Sequence, residues 1–267
     1  MPLPKTPRVV ITGAGSGFGR ALALVLAERG ARLVLGDRDE PTVRETAHLA
    51  LERGAVDARA VRCDVTRLDD IETLAASRGG VVDLVVNNAG VGSGGAVGVA
   101  PIEDWRWTLE ANLFGVIHGC HVFVPLLLEQ GCGHVLNVAS AAGLVSAPQM
   151  GAYNVSKAGV VALSETLAAE LEGTPVGVTV LCPTFFRSNI VRRGRFADDA
   201  MRERGMKLIA KGRSAEFVAR AALASIDEGH LYSIPMVDAR VLWRLKRLAP
   251  ETFATLAGKI SKRMERV

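Results

Sequence analysis

Short runs of β-branched and leucine residues alternate along this chain with longer segments of helical period. That alternation leaves very few folds open. Strand patterns at 8–12, 32–36, 58–63, 84–87, 135–139 and 177–181 are separated by helical patterns at 17–30, 41–53, 68–78, 102–130 and 152–171. Gly115 and Gly119 weaken the middle of the longest helix. Strands spaced by helices in this way read as parallel βαβ units with right-handed crossovers. Near-continuous apolar strands need cover on both faces. The expectation is an α/β fold: a doubly wound, mostly parallel sheet of about seven strands with helices on both sides.

Composition agrees with a packed globular chain. Of 267 residues, 49% are apolar and 22% charged, which excludes a disordered segment. Four cysteines are too few for a disulfide scaffold, and they show no metal-ligand spacing, so they read as buried free thiols. The +4 net charge conceals a division. Residues 1–186 carry 14 basic and 19 acidic side chains, while residues 187–267 carry 18 and 9. No run of about 18 apolar residues is present, so no membrane span is expected. The reading that follows is a cytoplasmic protein, with peripheral membrane contact as one option for its basic end.

The first strand runs directly into a glycine-rich turn and a helix. Gly13, Gly17 and Gly19 stand there in a G-x-x-x-G-x-G spacing, with Ser16 and Phe18 between them. Such a turn lets backbone approach a pyrophosphate, and the following helix offers free N–H groups to it. Asp37 lies just past the second strand, where a carboxylate accepts from adenosine ribose hydroxyls and repels a 2′-phosphate. It favours NAD over NADP. Arg38 beside it argues the other way, because a guanidinium pairs with that phosphate. Asp64 and Val65 follow the third strand, within reach of an adenine; a plain loop carboxylate is the competing account of Asp64.

Tyr153 and Lys157 are four residues apart, hence on one face of a helix. An ammonium beside a phenol is expected to lower the tyrosine pKa and make it a general acid/base near neutral pH. Ser140, at the end of the fifth strand, is placed to bond a substrate oxygen.

Several segments now stand in order: the glycine turn; Asn87, Asn88, Ala89 and Gly90 closing the fourth strand; Asn112 on the long helix; Ser140; Tyr153 with Ser156 and Lys157; and Pro183 to Ser188 after the sixth strand. Together, over residues 8–190, they resemble the short-chain dehydrogenase/reductase family and its Rossmann fold. The resemblance implies a catalytic set of Asn112, Ser140, Tyr153 and Lys157. Lys157 would also hold the nicotinamide ribose, and Asn112 would anchor a water relay to it. It adds Asn88, Ala89, Gly90, Pro183, Thr184, Phe186 and Ser188 to the cofactor site. The family has Pro-Gly where this chain has Pro183 and Thr184. Threonine tolerates positive φ poorly, so either the backbone there is ordinary or the loop is reshaped.

The resemblance also implies that residues of about 187–213 form a lid over substrate. Phe185, Ile190 and their apolar neighbours, with Ala142, Leu144 and Gln149 before the tyrosine, are the candidate substrate-binding residues, and an apolar alcohol or ketone is the expected substrate. The chain divides into a dinucleotide-binding and catalytic domain, 1–238, and a basic helical extension, 239–267, broken at Pro250. That extension has three readings: a solvated face, attraction for an acidic thioester or carrier, or contact with an anionic membrane, since Trp243, Leu242, Leu245 and Leu248 intermix with arginines. Nucleic acid is not expected. His118 and His121 lack a third ligand, so no metal is expected. A homodimer or homotetramer built on the 102–130 and 152–171 helices is implied by resemblance. The alternatives to an NAD-linked dehydrogenase are an NADP-dependent 3-oxoacyl thioester reductase and a dinucleotide-sensing or membrane-surface protein without turnover.

Overall fold

The computed structural model describes residues 2–264. Its first half runs β1 (Arg8–Thr12), α1 (Gly17–Ala27), β2 (Arg32–Asp37), α2 (Glu40–Glu52), β3 (Asp57–Arg62), α3 (Leu68–Ala76) and β4 (Leu84–Asn87). There follow β5 (Ser93–Gly94), α4 (Ile102–Leu109), a π-helical turn at Glu110–Phe114, α5 (Gly115–Gln130), β6 (Gly133–Val138), α6 (Ala141–Val145), α7 (Gly151–Glu170) and β7 (Val176–Leu181). The last third holds β8 (Arg195–Phe196), α8 (Asp199–Lys211), α9 (Ala215–Asp227), β9 (Tyr232–Ser233), α10 (Val237–Leu248) and α11 (Pro250–Met264). Residues 265–267 of the basic extension lie outside the described residues.

Seven strands form one parallel sheet in the order β3-β2-β1-β4-β6-β7-β9. Strand order reverses between β1 and β4, so a crevice opens at their C-terminal ends, where doubly wound sheets bind ligands. Alternate strand residues feed two apolar layers. Val9, Ile11, Leu33 and Leu35 pack with Leu22 and Leu26 of α1, Val43 of α2 and Leu223 of α9. Val10, Val34, Val85 and Val135 pack with Leu74 of α3, Phe123 and Leu127 of α5, and Val160 of α7. The two layers hold the sheet rigid, and the site is built on its upper edge.

The doubly wound sheet agrees with the sequence expectation, and the differences are local. The long helix keeps its span but carries the π turn at Glu110–Phe114. Helix 102–130 is long and apolar enough to cross a membrane by length and composition, yet Val116, Cys120, Phe123 and Leu127 pack it onto the sheet. Residues 187–194 are turns and bends, and the rest of the 187–213 segment is ordered by β8 and α8; Asp198 caps α8, its side chain accepting from Met201 N.

Gly119 has a packing reason. A Cβ there would press on Asn87 Oδ1 and lie 2.7 Å from its Cγ. Asn87 Nδ2 donates to Asn137 Oδ1 at 2.9 Å, and Asn137 Nδ2 donates to Ser164 Oγ at 3.0 Å. This buried chain ties β4, β6 and α7 together beneath the site. Gly119→Ala is therefore expected to cost about 1–3 kcal/mol of stability. The measurement is urea unfolding, with a lower midpoint at unchanged m.

Candidate active site

The crevice is lined first by the turn after β1. Gly13 and Gly17 hold left-handed backbone, at φ 65° and 56°. A Cβ on Gly13 would stand 2.7 Å from Ala89 Cα, and one on Gly19 would stand 2.6 Å from Asn88 Nδ2. Asn88 is thus a brace: its Nδ2 donates to Thr12 O at 2.8 Å and Gly13 O at 3.0 Å. Thr12 Oγ1 accepts from the N–H groups of Asn88 and Ala89 at 3.0 and 3.2 Å. Ser16 is the N-cap of α1 with extended backbone, and its side chain makes no capping hydrogen bond. The first N–H groups of α1 therefore carry no side-chain cap, and they face the crevice end of β1 with the helix dipole behind them.

Asp37 closes β2. Its Oδ2 accepts from Gly15 N at 2.9 Å and its Oδ1 from Asp39 N at 3.0 Å, so the carboxylate is fixed at the edge of the crevice. Gly15 was not singled out by spacing; a Cβ there would press on Thr42 Oγ1 and stand 2.9 Å from Asp37 Oδ2. Arg38 is exposed. Asp64 turns back on its own loop, accepting from Thr66 N at 3.1 Å and Thr66 Oγ1 at 2.8 Å. Val65 is buried, and its carbonyl meets His118 Nδ1 at 2.9 Å, which gives that histidine a structural partner.

Ser140, Tyr153 and Lys157 come together at the top of β6. Ser140 caps α6; its Oγ accepts from Ala142 N at 3.1 Å and is hydrogen-bonded to the Tyr153 side chain. Lys157 is only 3% exposed, and its Nζ donates to Val138 O at 2.8 Å. Nζ lies 5.9 Å from the Tyr153 ring centroid. Here the expectation of a lowered tyrosine pKa is corrected. Burial raises Tyr153 above its ordinary value, opposed by the Ser140 hydrogen bond. Burial also lowers Lys157 to about 8, opposed by the nearby Cys182. Desolvation penalises both charged forms, and one of the lysine's three N–H donors is taken by the main-chain carbonyl of Val138.

Asn112 sits fully buried in the π turn. Its Oδ1 accepts from Val91 N at 2.7 Å, and its Nδ2 donates to Val91 O at 2.9 Å and Ser156 Oγ at 3.2 Å. The side chain clamps the segment after β4 to α7. Gly90 passes so close that a Cβ would stand 2.9 Å from Asn112 Oδ1 and 3.6 Å from Lys157 Nζ.

The segment after β7 folds over the glycine turn. Phe186 meets Phe18 edge-on, with centroids 6.3 Å apart. Ser188 Cβ lies 3.6 Å from where a Cβ on Gly17 would be. Thr184 is not among the positive-φ residues, so its backbone needs no conformation reserved for glycine. Pro183 is buried and its carbonyl accepts from Ala141 N at 2.9 Å. The segment after Ser188 is tied down at two points that spacing did not reveal: Arg193 to Asp39 at 3.4 Å, and Arg195 to Asp104 at 2.9 Å with its guanidinium over Trp107. β8 pairs with β5, bringing residues 195–196 against the segment that follows Gly90.

Of the substrate candidates, Ala142 and Ser140 share the first turn of α6. Gln149 takes left-handed backbone at φ 62°, and its carbonyl accepts from Gly95 N at 2.7 Å. Ile190 backs onto Gly92, and Phe185 is exposed. Leu144 is buried in the apolar layer with Val160 and Cys182. Cys182 is pushed up to about 12 by burial and Cys63 likewise, while burial takes Cys120 to about 11, so these thiols stay protonated.

Comparisons with known proteins place this arrangement. The putative oxidoreductase SadH of Mycobacterium tuberculosis is 31% identical over 263 residues, 96% of this chain and 92% of that protein. The probable oxidoreductase EphD of the same organism is 41% identical over 187 residues, 68% of this chain. That match covers only 31% of EphD, so the chain spans under a third of that relative's length. Among solved structures, a short chain dehydrogenase/reductase from Burkholderia phymatum in complex with NAD aligns at TM-score 0.87 and 36% identity, over 92% of this chain and 95% of that one. One from Sphingobium yanoikuyae in complex with NADPH aligns at 0.78 and 25%, over 93% and 95%. Residues 7–199 match the sequence model of the short chain dehydrogenase family, and the chain belongs to that family.

Proposed function

We propose that the chain is an NAD-linked dehydrogenase/reductase that interconverts a hydroxyl and a carbonyl group on an apolar small molecule. The observation that carries this is the Ser140–Tyr153–Lys157 cluster beside a glycine turn whose helix N-terminus lacks a side-chain cap. The family's structural neighbours in complex with NAD and NADPH support a nicotinamide dinucleotide. The residues present fit it: Gly13, Ser16, Gly17, Phe18 and Gly19 offer the pyrophosphate cradle, Asp37 the ribose acceptor, and Asn88 to Gly90 with Thr184, Phe186 and Ser188 the nicotinamide half.

A bound nicotinamide supplies or accepts the hydride. In reduction, Tyr153 gives its phenolic proton to the substrate oxygen as that oxygen becomes an alkoxide. In oxidation, the tyrosinate takes the hydroxyl proton back. Ser140 donates to the same oxygen and fixes it within reach of the phenol. Lys157 places positive charge beside the phenol and holds the nicotinamide ribose. The Asn112 side chain is fully engaged with Val91 and Ser156, so its share in a proton path falls to its main chain. Phe185, Ile190 and the lid provide the apolar wall. The exposed Phe114 and Leu128 of the long helix, with Val155 of α7, favour a homo-oligomer built on those helices.

Cofactor choice is tested by titrating NADH and NADPH separately. Asp37 is expected to give NADH the higher affinity, and a clear NADPH preference would assign the decisive role to Arg38. Asp37→Ala is expected to weaken NADH by about 10–100-fold, the worth of a hydrogen bond to a charged group.

A further inference from the structure

The end of the described chain carries an apolar surface that the fold does not use. α10 rests on α6 through Ala239, Trp243 and Lys246, which recur at helical spacing. Trp243 lies tilted at 40° against Tyr232 of β9, ring centroids 4.9 Å apart, and Lys246 Nζ donates to Leu144 O of α6 at 2.9 Å and Ser146 Oγ at 3.1 Å. The helix is therefore fixed in rotation about its axis. That rotation turns Val237, Val241, Leu245 and Leu248 outward as one stripe, with Val237 67% and Leu248 83% exposed. α11 packs back on α10 and adds exposed Leu256 and Ile260.

The charge around this stripe is one-sided. Arg240, Arg244 and Arg247 form a row along one flank, and Lys259, Lys262 and Arg263 follow on α11. Asp238 and Glu251 are the acidic residues of residues 237–264. Among the described residues, Arg244, Lys259, Lys262 and Arg263 enter no ion pair.

We propose that the α10–α11 pair docks this protein on an anionic lipid surface, with the Val/Leu/Ile stripe in the acyl boundary and the arginine row among the headgroups. Aliphatic side chains without an aromatic or pocketed anchor suit a fluid acyl layer better than a protein interface, where such residues rarely dominate binding. A second copy on the same face would set one basic row against another. An anionic bilayer matches both properties at once. α6, on which α10 rests through its opposite face, begins one residue after Ser140, so docking would hold the catalytic end of the sheet near the lipid surface. That last consequence rests on the proposed activity; the docking does not.

The test is co-sedimentation of the full chain with phosphatidylcholine vesicles, with and without phosphatidylglycerol, at low and high salt. Binding is expected on the anionic vesicles and is expected to fall by more than tenfold at high salt. Leu245→Glu/Leu248→Glu is expected to lower it roughly a hundredfold, the worth of two buried leucines. Arg240→Gln/Arg244→Gln is expected to lower it by more than tenfold. Unchanged NADH affinity in both variants shows that they fold. Absence of binding to anionic vesicles, or equal binding by folded variants, overturns the proposal. Loss of oligomer mass in the leucine variant without vesicle binding overturns it too, and assigns the face to a second copy.

Discussion

Tyr153→Phe is expected to lower kcat by about 10²–10⁴-fold in both directions, while NADH affinity stays within about twofold of wild type. The substitution removes one oxygen. The ring stays half-buried among the same neighbours, so the fold and the glycine turn are untouched. What is lost is the proton carrier and the partner of Ser140. The raised pKa of Tyr153 fixes a pH signature. Burial keeps the phenol protonated at neutral pH, so reduction finds its acid already in place. Oxidation needs the tyrosinate, so its kcat/KM in the wild type is expected to climb with pH above neutrality, while reduction is expected to stay level until pH approaches the raised tyrosine pKa. The pH profiles of kcat/KM in the two directions check both statements, and the variant should lose the slope along with the rate.

Lys157→Met is expected to abolish most activity and to stabilise the protein. A lysine held at about 8 instead of its ordinary 10.5 pays for its burial whenever it is charged. Below pH 8 both folded and unfolded chains bind the proton, and the folded one bears the full desolvation penalty. Between pH 8 and 10.5 the folded chain releases the proton while the unfolded chain keeps it, so this group makes stability rise with pH. At pH 7 the penalty is roughly 2–4 kcal/mol. Losing the bond to Val138 O offsets about 1 kcal/mol of the relief. The variant should gain a few degrees in Tm at pH 7, and its Tm should change less than that of wild type between pH 8 and 10. Its kcat/KM is expected to fall by at least about 10²-fold, because a buried tyrosinate is left without a counter-charge. A site that becomes more stable as it loses function marks a charge kept for chemistry.

The parts of this protein legible in the sequence are those with local causes. β1 and α1 announce themselves through Gly13, Gly17 and Gly19, because positive φ and close approach to Asn88 and Ala89 admit only glycine. Helical spacing puts Tyr153 and Lys157 on one face of α7, and their proposed role comes from the resemblance that the whole motif set carries. The unread parts depend on contacts distant in sequence. β9 is two residues long and exists as a strand because it pairs with β7. The π turn at Glu110–Phe114 has no glycine or proline inside it; it accompanies the clamp of Asn112 on Val91. Arg193 finds Asp39 across 154 residues. The tyrosine pKa was misjudged because spacing gives proximity and not burial. The inward rotation of Leu144 on α6 is set by packing with Val160 and Cys182, which spacing does not show.

Hydride transfer itself is the claim on which the rest of the account depends. Reduction of a panel of apolar ketones with NADH deuterated at the transferable C4 position, followed by mass spectrometry of the products, tests it directly. Deuterium on the carbinol carbon of at least one product with wild-type protein, and none above background with Tyr153→Phe, is the predicted result. NADH binding at full stoichiometry with no deuterium in any product, or equal transfer by Tyr153→Phe, would contradict it.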